Sequence, residues 1–220
     1  MRRALRLALL LAVGAACLPA RPASGGVVEA TVQDDKGKPV EGAVVYVAPG
    51  AGVPAARAAG TATMDQWKQE FIPHVLAIEV GTAVNFPNKD NIRHHVYSFS
   101  SPKKFELPLY IGTPAAPVVF DKPGVVVLGC NIHDWMVAYV YVLPTPHFAR
   151  TGADGRARIE GVPAGAHEIR VWHPRLREAT EKTGRGVTVG PAPGAAAFAI
   201  GLKREWRIPR PAGSRYERND

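Results

Sequence analysis

A chain of 220 residues with 46% hydrophobic residues suits one large or two small domains, each able to bury a modest core. Its formal charge of +8 overstates its basicity, because Arg2, Arg3, Arg6 and Arg21 all lie in the first 25 residues, which hold no acidic residue. Without them a charge of about +4 is scattered along the chain, too mild for a nucleic-acid partner and in keeping with a solvated surface.

The opening "MRRALRLALLLAVGAACLPARPASGG" joins a basic start, a short apolar run and small residues. This is the layout of a secretory signal peptide over residues 1–25, with cleavage between Ala16 and Gly26. The apolar run is too short to cross a bilayer, so no membrane span is expected in the mature chain and a periplasmic or otherwise exported location is. Cys17 would be the site of a lipid anchor, but "GAAC" lacks a leucine three residues before it. With Cys17 removed, Cys130 has no partner for an internal disulfide. A lone thiol in an oxidising compartment is a liability unless buried or bound to a metal.

Beyond the leader no helical periodicity of useful length occurs, whereas short β-rich runs recur between Gly, Pro and Asp punctuation. "VVEATVQ" and "AVVYVA" come first, and residues 50–63, rich in Gly, Ala and Pro, read as a linker or long loop. Then come "HVLAIEV", "TAVNF", "HHVYSF", "PVVF", "VVVLG" and "MVAYVYV", and a second break at residues 143–155. The remainder reads as strand, Asp-Gly turn, strand, Pro-Ala-Gly turn and "HEIRVW", followed by "GVTV", "AAFAIGL" and a polar tail over 204–220. The expectation is an all-β protein of sandwich type. The aromatic stretches around Trp67, Phe86, Trp135 and Trp172 are expected to plug cores and loops.

"GCNIHDWM", Gly129 to Met136, concentrates the soft donors. A blue copper site takes two histidine nitrogens and one thiolate in a plane, with a weak axial methionine. Cys130, His133 and Met136 supply three of those four from one turn after a strand, and His94, opening the strand "HHVYSF", supplies the fourth. Structural zinc sites use Cys and His without methionine, which favours copper. Asn131 and Asp134 are expected to fix the loop through backbone groups, and Trp135 to shield the metal. His74, His147, His167 and His173 have no such company and read as ordinary histidines.

The block "FIPHVLAIEVGTAVNFPNKDNIRHHV" with "FDKPGVVVLGCNIHDWM" resembles the cupredoxins, the plastocyanin, pseudoazurin and amicyanin group. The short ligand loop is most similar to that of amicyanin, and the whole chain to exported plastocyanin-like proteins of the methylamine utilisation type. The resemblance implies a Greek-key β-sandwich with His94, Cys130, His133 and Met136 as ligands of one type 1 copper, and an electron carrier working between redox protein partners. Two positions depart from the family: His95 stands where asparagine is usual, which leaves it as a rival ligand, and Leu128 replaces an aromatic residue. An enzyme is not expected. Cys130 is flanked by Gly129 and Asn131 rather than by the histidines of a multicopper centre, and no hydrolase or phosphate-loop motif occurs. A copper-delivery protein is the alternative, disfavoured by the presence of only three methionines.

"VQDDKGKPVEGAVVYV" at 32–47 and "FARTGADGRARIEGVPAGAHEIRVWHPRLREAT" resemble the two halves of the carboxypeptidase regulatory-like, transthyretin-like sandwiches. That resemblance implies a split sandwich of residues 27–55 and 147–203 carrying the cupredoxin unit, 64–145, as an insert; two adjacent domains in tandem are the other arrangement.

Overall fold

The computed structural model describes residues 25–56, 60–205 and 208–210. The leader lies outside the described residues, as does most of the polar tail. The strands in chain order are β1 (Gly26–Asp34), β2 (Val44–Val47), β3 (Thr61–Thr63), β4 (Asp65–Trp67), β5 (Glu70–Ile72), β6 (Val75–Glu79), β7 (Ala83–Asn85), β8 (His94–Ser98) and β9 (Phe105–Tyr110). They continue with β10 (Val118–Val119), β11 (Gly124–Gly129), β12 (Val137–Leu143), β13 (Phe148–Arg150), β14 (Arg156–Val162), β15 (Gly165–Trp172), β16 (Arg185–Val189) and β17 (Gly194–Ile200). Apart from one 3-10 turn at Thr180–Thr183, all described regular structure is β, as the sequence predicts.

Two pairs of sheets enclose two cores. The order β14-β1-β17 faces β13-β2-β15-β16 across Val28, Val32, Val45, Val47, Ile159, Ile169 and Phe198. The order β6-β12-β11-β8-β9 faces β10-β7-β3 across Ile78, Val84, Phe86, Val96, Phe120, Leu128 and Val140. Strands β1 and β2 pair only with β13, β14, β15 and β17, so the two ends of the chain build one sandwich and the middle builds the other.

A third apolar layer joins them. Every residue of β2 is buried, because Val45 and Val47 face their own core while Val44 and Tyr46 face the neighbouring sandwich. Strand β12 does the same with Ala138, Val140 and Val142 on one side and Tyr139, Tyr141 and Leu143 on the other. A strand covered on both faces must be apolar at consecutive positions, which explains "AVVYVA" and "VAYVYVL". Trp172 sits between the two, 4.8 Å from the Tyr141 ring and 6.1 Å from that of Tyr139.

Two expectations are corrected and one strand is added. The stretch read as a loop to residue 63 ends earlier, since β3 pairs in parallel with β7. Trp67 does not plug a core; it is 43% exposed, at the end of the β4–β5 hairpin. Strand β9, "FELPLY", has no counterpart among the expected runs; its Pro108 is accommodated because β9 lies at a sheet edge, where a missing N–H breaks no ladder.

Candidate metal centre

The site forms where β8 begins and β11 ends. These strands are neighbours, with Gly129 opposite Tyr97. His94 opens β8 with its ring fully buried, and Cys130 follows β11 at 3% exposure. The chain then turns tightly, the Met136 N–H bonding to the His133 carbonyl at 2.9 Å, before β12 departs. His94 Nδ1 and His133 Nδ1 are 3.1 Å apart, and Cys130 Sγ is 3.8 Å from His133 Nδ1. The three donor atoms all fall within 4.8 Å of one another. Met136, 1% exposed, belongs to the same buried cluster as Cys130.

The electrostatics suit a cation. Burial pushes the Cys130 thiol up, but hydrogen bonding with His94 and the backbone N–H groups of His95, Ile132 and His133 outweigh it and bring it below its ordinary value. For His94, burial opposes protonation, yet Cys130 and Asp90 lift it above the usual imidazole range. Burial, and then the charge on His94, hold His133 below that range, leaving its ring nitrogen free to donate. The cluster therefore favours a thiolate beside a positive neighbour, which is the arrangement a soft or borderline metal cation satisfies.

His95 does not join the three donors. Its ring meets Glu106 at 2.9 Å on the opposite side of β8, while its backbone N–H serves the thiolate. Asn131 and Asp134 point into solvent, so the loop is held by its own backbone rather than by the side chains expected to fix it. Trp135 lies half-buried against His133, with ring centres 5.1 Å apart, where it covers one side of that ring. His74 packs on Tyr139, and His167 bonds to the Pro163 carbonyl; neither approaches the cluster.

Two residues of the site were missed by the sequence reading. Gly129 leaves room for the Tyr97 ring, which lies over it: a Cβ there would come within 2.8 Å of Tyr97 Cζ, so the ring would have to move. Asp90, read only as part of a loop, is fully buried and bonds to His94 Nε2 at 2.6 Å. A Gly directly before the cysteine was a visible signal, whereas nothing local marks Asp90.

No protein-family model matches the chain, and no curated protein does. Among solved structures it is similar to a purple cupredoxin from Nitrosopumilus maritimus, with 26% identity over 37% of this chain and 99% of that one, at a TM-score of 0.33. A copper-containing nitrite reductase from Thermus scotoductus SA-01 is 29% identical over 44% of this chain and 25% of its own, at 0.36. An oxidized amicyanin mutant is 20% identical over 37% and 80%, at 0.34.

Proposed function

We propose that the chain is an exported electron carrier that holds one copper ion between His94, Cys130, His133 and Met136. The observation that carries this reading is the convergence of two imidazole Nδ1 atoms and one readily deprotonated thiol, within 4.8 Å, inside a β-framework. Copper bound there supplies a one-electron couple. The protein's own part is to hold the donors in one arrangement: the buried His94 and Cys130 are fixed by β8 and β11, and the short loop fixes His133 and Met136. A frame that need not rearrange between oxidation states lowers the cost of each transfer, and the half-buried His133 is the ligand nearest a docking partner.

The leader supports an exported location. The strand pairing of β1 and β2 with β13, β14, β15 and β17 supports a split regulatory-like sandwich carrying the copper unit as an insert, and its role is that of a rigid mount.

The test is the visible spectrum of the oxidised protein loaded with copper, against Cys130→Ser. A strong band in the natural chain and none in the variant, with unchanged circular dichroism, is the expected result. An equal band in both overturns the ligand set. Repeated reduction and reoxidation beside an excess of a copper(I) chelator separates carrier from delivery protein: a carrier keeps its band, and a delivery protein loses it within a few cycles.

A further inference from the structure

We propose that Asp90 is the positioning residue for His94: its buried carboxylate fixes which ring nitrogen faces the metal and biases the site toward the oxidised ion. The inference rests on the copper reading above.

The carboxylate is surrounded by donors. Asp90 Oδ1 accepts the Lys68 N–H at 2.7 Å, and Oδ2 accepts both the Gln69 N–H at 2.9 Å and the His94 Nε2–H at 2.6 Å. Three N–H groups meet the two oxygens, and the carboxylate accepts at each contact. Its bond to His94 holds a ring proton on Nε2, so that Nδ1, the atom that faces Cys130 and His133, is the one that gives up its proton to a metal. Both side chains are fully buried, so the interaction is not weakened by water.

The two backbone donors come from an unusual turn. Lys68 and Gln69 join β4 to β5 with φ of 53° and 58°, left-handed values that non-glycine residues adopt only at a cost. A glycine pair would make the turn without that strain. What the geometry achieves is two adjacent N–H groups aimed at one carboxylate, a small anion nest built on the hairpin tip. Arg210 braces the outer side of the same turn by donating to the Lys68 carbonyl, with its guanidinium 6.0 Å from the centre of the Trp135 ring. The Asp90 N–H, in turn, bonds to Asn88 Oδ1 at 3.0 Å, and Asn88 ties the loop to the carbonyls of Ile92 and Tyr110. Asp90 is thus held from both sides, and the side chain its carboxylate meets is the ligand His94.

The chemical consequence follows from charge. A carboxylate hydrogen-bonded to the far nitrogen of a ligating imidazole makes the near nitrogen a stronger donor, and a stronger donor stabilises the doubly charged ion more than the singly charged one. Removing the negative charge while keeping the shape, as in Asp90→Asn, lowers copper(II) affinity by about 10–100-fold. Copper(I) affinity falls less. Each tenfold loss in the ratio of the two raises the reduction potential by about 59 mV.

Two measurements decide it. In the natural chain loaded with diamagnetic copper(I), nitrogen-15 NMR of His94 should show Nδ1 bound to the metal and Nε2 carrying a strongly hydrogen-bonded proton; ligation through Nε2, or an Nε2 proton that exchanges freely with water, overturns the proposal and requires no variant to fold. In the copper-loaded protein, Asp90→Asn should raise the potential, and an unchanged or lowered potential also overturns it. If Asp90→Asn does not fold, the NMR measurement alone still supports or overturns the proposal. Failure of the natural chain to show the visible band refutes the copper reading itself, whereas a normal band with an unmoved potential in the variant refutes only the role of Asp90.

Discussion

Trp172→Ala is the sharpest test of how the two sandwiches are coupled. Trp172 is 8% exposed and stands on β15 against Tyr139 and Tyr141 of β12, the strand that leaves the loop from Cys130 to Met136. An aromatic side chain of this kind covers roughly 200 Å². At about 25 cal/mol per Å² its burial is worth at most about 5 kcal/mol, and a compact unfolded chain lowers that to about 3–4 kcal/mol. Measured Trp→Ala losses in cores run to about the same size. Because total stability is about 5–15 kcal/mol, a loss of this magnitude at the joint should uncouple the units. In urea, the natural holoprotein should lose its visible band and its far-ultraviolet circular dichroism together. In the variant the two transitions should separate and the first should come at lower denaturant. The band before denaturation should be unchanged, since Ala138, Val140 and Val142 on the other face of β12 still pack in the core of the sandwich that contains Cys130. A loss below about 1 kcal/mol with coincident transitions would refute the view that the shared aromatic layer makes the two sandwiches one cooperative body.

Three further outcomes are expected. His94→Gly should bleach the visible band and His95→Gly should leave it, since only the first ring faces Cys130; the reverse result gives the ligand role to His95. Met136→Gln should retain copper and lower the potential measured by voltammetry, because an oxygen donor favours the oxidised ion; no shift would place Met136 outside the metal's reach. His173 is held down to about 4 from 6.5 by burial, then by Arg175 and His74, with Glu205 opposing. A base depressed in the fold takes up its proton more readily when unfolded, so stability should fall as pH drops from about 6.5 to about 4 and level off below. His173→Asn should flatten that part of a denaturation-against-pH curve, and an unchanged slope would mean that His173 does not carry it.

How far the sequence announces this structure depends on how local each determinant is. The runs that became β1, β2, β6, β8, β11 and β12 are legible because burial on one or both faces leaves a period of two or an unbroken apolar stretch. Cys130, His133 and Met136 are legible because one tight turn holds all three. The choice between His94 and His95 rests on strand alternation alone, since the two are adjacent and only the placement of β8 against β11 decides which face is inward. That the aromatic face of β12 meets a second sandwich is invisible in "VAYVYVL" by itself, because a strand's sequence states that a face is covered and not by what.

The β4–β5 hairpin marks where local reading ends. Lys68 and Gln69 carry no turn signal, and their positive φ values are supported by Asp90, distant in sequence, which accepts both N–H groups. Conversely Asp90 could be placed as more than a loop residue only by knowing that the hairpin closes over it. Each half of the arrangement is unfavourable alone: a left-handed pair without its anion is strained, and a buried carboxylate without its donors is costly. Together they deliver one charge to one ring nitrogen. A device whose parts are each individually disfavoured leaves no propensity signal, so such residues are found only once tertiary structure brings the halves into contact.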